Sequence, residues 1–489
     1  MPNSRTKQIN LDGAEFAAPH LDQWAEIAEV SLRGRSADSL TTTTYDDIKR
    51  KALYTAHDQF STRSDFRRGR VTGAADTSWD IRPIHDAFHP DVNSRILADL
   101  EGGATSIHLT NAPNDVDHLA DVLAGVHLDM AGVYLDDRAA ADALVELWTD
   151  CGAGGSATGC LGVDPIGALA ITGGLAAPVD DALTAVAMAA SVSEHLPNVT
   201  AARVDGRPYG EAGASDSTEI ACVLSTAIAY LRVLTESGRT IDLSTLNLSF
   251  TLTLGPDQFL SIAKLRAARI CWAALVSASG GSHRHMPIHA TTAEWAISKR
   301  DPWINMLRAT TAAFAAAVGG ADALSIVPFD SAIGHPDELG LRIARNTNFL
   351  LGQEAGLDGV TDPAGGSYYV ETLTEDMASA AWSKFQDLET RGGIAAALAD
   401  GSLQHEIALT RAERQAAISD RSDPLTGVSE YATGELTRLD RLPRTEAPEL
   451  IAGVVDAKPV GKFRAAAPYE ELRDAADRYV AATGASPTI

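Results

Sequence analysis

Short apolar runs alternate with long alanine-rich stretches of helical spacing along most of the chain. Thr105–Leu109, Gly132–Leu135, Thr158–Gly162, Val199–Val204, Leu246–Leu252, Met286–Ala290 and Ala323–Val327 have strand length, and each precedes a helix-like segment. That alternation predicts a parallel sheet, because parallel neighbours need crossover connections. Its many repeats over roughly 300 residues predict an α/β fold of the TIM (β/α)8 barrel type. An open doubly wound sheet is the competing architecture, but no glycine fingerprint follows the first of these strands.

The flanks read differently. Leu21, Trp24, Ile27, Ala28 and Leu32 recur at helical spacing until Gly34, so residues 1–80 are expected to form an extended arm with one helix. Thr41–Thr44 and Tyr45–Asp47 read as a short exposed turn, and Arg63, Arg67, Arg68 and Arg70 as a basic cluster. That cluster suits a solvated loop as well as it suits an anion or partner contact. The barrel is expected over 81–430, with charged helices from Glu371 through Arg414. Ala447–Ala467, rich in Pro, Gly and Ala, predicts a linker, and Pro468–Ala482 an amphipathic helix, giving a C-terminal segment over 431–489.

Composition narrows the function classes. The formal net charge of −25 would repel a phosphate backbone, which argues against nucleic acid as a partner. Apolar residues make up 45%, enough for a large core. Cys151, Cys160, Cys222 and Cys271 are scattered without CxxC spacing, as expected of reduced core residues. The opening MPNSRTKQIN lacks the apolar stretch of a secretory signal, and no apolar run reaches the ~18 residues of a membrane helix. These features predict a cytoplasmic protein without membrane contact.

Barrel chemistry sits at the C-terminal ends of strands. After the fourth candidate strand come Asp205, Arg207, Pro208 and Glu211; they could shape a pocket, or form a turn with Glu211 at a helix N-terminus. His289 ends the sixth, a possible acid–base group but more often a satisfied structural histidine. His283, His285 and His289 alternate, yet no further Cys or His joins them, so a zinc site is not expected. Asp362–Tyr369 is a turn by composition. There is no P-loop, G-x-S-x-G elbow or H-E-x-x-H motif. The residues alone lead to a barrel enzyme or a barrel-derived subunit.

Several stretches together resemble the methylmalonyl-CoA mutase family. The most specific block runs from Asp301-Pro302-Trp303-Ile304-Asn305-Met306-Leu307-Arg308 through Gly319-Gly320 and Arg342-Ile343-Ala344-Arg345-Asn346-Thr347 to Asp362–Glu371. Glu211-Ala212-Gly213-Ala214 and Ile262–Arg269 are further anchors, and the resemblance extends from about Trp24 to Tyr479. The family contains catalytic chains and catalytically silent small subunits. Catalytic chains resemble I-R-Q-Y-A-G-F at the barrel start, with the tyrosine at the substrate; Ile84 stands there in Ile81–Phe88. They carry G-Y-H-M-Q-E-A-G-A, whose histidine bonds the substrate carbonyl; Pro208 stands there, unable to donate. The family binds cobalamin through D-x-H-x-x-G, and none of the 13 histidines here has Asp two positions before it.

Thr158–Ala170, Asp257–Lys264 and Leu53-Tyr54-Thr55 look like the small-subunit branch. The resemblance therefore implies a non-catalytic small subunit that pairs with a large catalytic subunit. The large subunit would hold adenosylcobalamin and the acyl-CoA, interconverting methylmalonyl-CoA and succinyl-CoA by radical isomerisation. No catalytic, cofactor or metal residue is expected in this chain. Arg82, Asp205, Arg207, Glu211 and His289 are the candidates for a vestigial barrel mouth. Small subunits of the family usually continue into a degenerate cobalamin-like domain; this sequence stops at Ile489, so that domain is not expected in it. Two rivals stand: a free-standing barrel enzyme acting on an acyl-CoA or another anion, and the small subunit of a related acyl-CoA mutase.

Overall fold

The computed structural model describes residues 20–58, 79–136, 138–283, 285–433, 439–444 and 454–484. The barrel opens with β1, which runs in two pieces, Asp80–Ile81 and Ile84–Asp86. It continues with β2 (Ser106–Thr110), β3 (Gly132–Leu135), β4 (Thr158–Val163), β5 (Asn198–Asp205), β6 (Leu248–Leu254), β7 (Ile288–Thr292) and β8 (Ala323–Ser325). Neighbours pair in parallel throughout. The first piece of β1 pairs with β8 and the second with β2, so the sheet closes on itself. The change of neighbour falls at Arg82-Pro83: Arg82 N–H donates to Leu324 O, and Pro83 O accepts from His108 N–H. Proline has no N–H to give, and sits where the ladder changes sides. The seven strands expected from the sequence are all present. β1 was not among them, because pieces of two and three residues carry no period-2 signal.

Alternate residues divide the strands into two faces. Ile107, Leu109, Val133, Leu135, Val204, Phe250, Leu252, Ile288 and Ala290 are buried in the layer under the helices. Phe250, for example, meets Trp272 of helix Gln258–Ala278 edge-on at 4.8 Å. The other face turns Ser106, His108, Arg203, Asp205 and His289 into the lumen, so the barrel axis is polar. Contrary to the expectation from the sequence, one helix among the described residues, Asp216–Glu236, is long and apolar enough by length and composition to cross a membrane. It is 72% buried between the strands and helices Gln258–Ala278 and Tyr368–Thr390, and its all-round apolarity is that of a core helix.

Both flanks are tied to this frame. Helix Leu21–Ser31 forms as the spacing predicts and buries none of its residues. The turn expected to be exposed is instead the tip of a hairpin, Thr42–Thr43 against Lys49–Arg50, which plants Asp46 against the barrel. Asp46 accepts from Ser217 N–H (3.1 Å) in the first turn of helix Asp216–Glu236 and from Lys384 Nζ (3.1 Å). A carboxylate there satisfies an orphan donor and meets the positive helix end. The arginines Arg63, Arg67, Arg68 and Arg70 lie outside the described residues.

The segment predicted as a linker is also corrected. Its residues 447–453 lie outside the described residues, but 454–466 form a strap along the C-terminal rim of the barrel. Val454, Ala457, Val460, Phe463 and Ala465 donate in turn to the carbonyls of Leu175, Gly173, Ala170, Glu211 and Trp295. Gly173 has φ 76°, and a Cβ there would meet Ala457 O at 2.4 Å, so only glycine admits the strap. Gly, Pro and Ala in this stretch serve close backbone approach rather than slack. Helix Ala467–Thr483 follows as expected.

Replacing Asp46 by Ala leaves the half-buried Lys384 ammonium without its carboxylate and uncaps Ser217. Urea unfolding should show a loss of about 2–3 kcal/mol with helix content unchanged.

Candidate functional site

The lumen is filled by a charge network centred on Asp136, at the C-terminal end of β3. Its Oδ1 is bonded by His108 Nε2 (2.7 Å), by Arg203 Nη1 and by Arg207 Nη2. Arg207 also grips Asp205 through Nε (3.0 Å) and Nη2 (2.8 Å), and Arg203 lies 3.3 Å from the same carboxylate. Burial disfavours the charge on Asp136, but the two guanidinium groups outweigh it and hold the carboxyl well below its ordinary range. Next to the network, Asp164 accepts from Tyr230 Oη (2.5 Å) and Gly167 N–H (2.9 Å); burial pushes it up to about 6, with Arg203 opposing.

The histidines of the lumen are neutral. Burial lowers His108 to about 4 despite Asp136, and its ring lies 5.3 Å from that of His289. His289 Nε2 is 2.6 Å from Ser325 Oγ, whose own hydrogen goes to Arg82 O. The serine therefore accepts, and His289 carries its proton on Nε2. Burial and the positive charges of Arg82, Arg207 and Arg203 hold it well below the usual histidine value. Its Nε2–H is thus spent on Ser325.

The other candidates part company. Arg82, expected at the mouth, reaches the opposite end: it bonds Asp80 and Ser106, which open β1 and β2, and lies 3.3 Å over the Tyr134 ring. An arginine on this strand finds its carboxylate two residues back on the same face, at the N-terminal end of the barrel. Asp205 and Arg207 do meet at the mouth, within the network. Glu211 faces the rim. Its two oxygens accept from the N–H groups of Glu294 and Trp295, both at 2.9 Å, joining the loops after β5 and β7. Burial and the neighbouring Glu294 carboxylate push it up to about 8, against those two bonds. Pro208 lies in the short helix Arg207–Gly210. Ile84 is half-buried on the inward face of β1, since His85 beside it turns outward to Asp99 (3.3 Å). No hydroxyl or imidazole stands at either position. Among the described residues, no three His, Cys, Asp or Glu side chains are placed to hold a metal ion.

Sequence reasoning missed Asp136, His108, Arg203, Tyr134 and Asp164. A signal for some was there: Ser106-x-His108, Tyr134-x-Asp136 and Arg203-x-Asp205 each put polar groups two apart in an otherwise apolar strand. The motifs that carried the resemblance build the frame instead. Asn305 bonds Ser298 and the Phe329 carbonyl, Arg345 pairs with Asp99, Arg266 with Asp362 and Glu371, and Arg269 with Asp322.

Comparison with known proteins agrees with this architecture. The family model for methylmalonyl-CoA mutase matches residues 112–450. A methylmalonyl-CoA mutase small subunit of Streptomyces virginiae is 39% identical over 97% of this chain and 79% of its own length. The methylmalonyl-CoA mutase small subunit of Propionibacterium freudenreichii subsp. shermanii is 34% identical, over 90% and 73%. A methylmalonyl-CoA mutase of Cereibacter sphaeroides is 30% identical, over 84% and 64%.

His108 gives the network a measurable pH signature. Its pKa falls from ~6.5 in the unfolded chain to about 4 in the barrel, so the unfolded state binds more protons between those values. The associated stability is present above pH 6.5 and is lost as pH falls towards 4. His108→Gln removes that dependence. Its cost relative to the parent, measured by urea unfolding, should be about 2 kcal/mol smaller at pH 5 than at pH 7.

Proposed function

Because the chain belongs to the methylmalonyl-CoA mutase family, an isomerase family, we propose that it is the small, non-catalytic subunit of a heterodimeric adenosylcobalamin-dependent methylmalonyl-CoA mutase. The observation that carries this reading is the charge network across the lumen. Asp136, Arg203, Arg207, Asp205 and His108 neutralise one another along the axis where a barrel enzyme would admit substrate. Ile84 and Pro208 stand where the family's catalytic chains present a tyrosine and a histidine. The residues do not fit a corrin either: the strap lies hydrogen-bonded along the rim, and no histidine has Asp two positions before it. Adenosylcobalamin and the acyl-CoA belong, in this reading, to the large subunit in the cytoplasm. The cofactor supplies radical chemistry there; this chain's residues contribute a rigid body against which the large subunit packs.

Residues 1–80 are the partner-contacting arm in this proposal, 81–430 the barrel, and 431–489 the C-terminal strap and helix. Helix Leu21–Ser31 supports the role of the arm, exposing Ile27 (68%) and Val30 (81%) beside Leu21 and Trp24. An obligate interface of this kind buries above ~2,000 Å².

Co-expression with a large mutase subunit, followed by light scattering and an isomerase assay, tests the reading. A stable one-to-one complex is expected, with cobalamin retained only when the large chain is present. Isomerase activity or cobalamin retention by this chain alone would overturn it and favour the free-standing barrel enzyme. Deleting residues 1–70 should abolish association; a complex that survives the deletion removes the arm from the interface.

A further inference from the structure

Away from the barrel axis, the hairpin of the arm and the N-terminus of helix Tyr368–Thr390 enclose an open cleft of about 650 Å³. Its size is within the range of sites for small organic ligands. Three aromatic rings line it in a row: Tyr54 lies 4.9 Å from Tyr369, and Tyr369 lies 5.1 Å from Phe259. Phe259 and Tyr368 each keep 42% of their surface exposed, large apolar area for an outer wall. Beside the rings stands Lys49-Arg50-Lys51, three consecutive cations in a chain of net charge −25. Arg50 is held by Asp257 (2.8 Å), and Lys51 reaches Asp58 (2.6 Å) with 59% of its side chain still in solvent.

We propose that this cleft binds a nucleoside phosphate, the base stacking on the aromatic row and the phosphate resting between Lys51 and Arg50. The rings are tilted to one another by 41° and 58°, and an exposed aromatic face receives a flat π-system at little cost in side-chain entropy. The cations supply charge-assisted bonds to phosphate. The aligned peptides of the 23-residue helix behind Tyr368 add to the attraction for an anion. A simple anion would use the cations and leave the rings idle; a neutral aromatic molecule would do the reverse. The site is separate from the barrel mouth and does not rest on the subunit reading above.

Titration of the full chain with ADP, followed by calorimetry and by tyrosine fluorescence, is the test. Saturable binding is expected that weakens as salt is raised. Lys51→Gln and Phe259→Ala should each weaken ADP at least tenfold while circular dichroism shows the fold retained. Inorganic phosphate should bind far more weakly than ADP. Absence of saturable binding at millimolar ADP overturns the proposal. So does binding that both variants leave unchanged, or phosphate binding as tight as ADP.

Discussion

Two guanidinium groups and an imidazole converge on one carboxylate, Asp136, in a barrel that buries His108 and Arg203 almost completely. Such an arrangement stands only when complete. Charges taken out of water lose several kcal/mol of hydration each, and only close, well-oriented partners return it. Arg203 without Asp136 would be a buried cation beside a second one; Asp136 without its arginines would be protonated. The strands must therefore bring β3 and β5 into one register, because the network spans both. The lumen thereby specifies the barrel as firmly as the apolar layer beneath the helices does, and it does so in place of an open channel.

The legible part of the fold was the part written in repeats. Seven strands followed from apolar runs set between helical stretches, and their order around the barrel followed from the need for crossovers. β1 was hidden because Pro83 divides it into pieces too short for alternation. The strap was hidden for the opposite reason: Gly, Pro and Ala ordinarily mark slack chain, whereas here small residues let one backbone lie on another, as at Gly173 against Ala457. Of the mouth candidates, Asp205 and Arg207 lie together, bonded to one another. The local text could not say that Arg82 finds its carboxylate at the far end of the barrel, or that Glu211 spends both oxygens on backbone N–H groups. Long-range partners are invisible to local spacing.

The motifs that identified the family describe assembly rather than chemistry. Asn305, Arg266, Arg269 and Arg345 each tie one element to a distant one, and Arg345 joins the helix after β8 to the helix after β1. A barrel can thus keep the family's frame while the residues at its mouth change character.

The divided first strand gives the barrel a short link between β8 and β1, and β3 and β4 share another of two paired residues. On the side towards β8 only Asp80 and Ile81 are in register, whereas β6 and β7 share five paired residues. A closed ring opens first at its shortest joints, since the longer ones must break more bonds at once. Amide hydrogens along the β8–β1 seam are thus among those through which solvent first enters the sheet. The Arg345–Asp99 tie across the two helices outside it acts as the clasp on that seam.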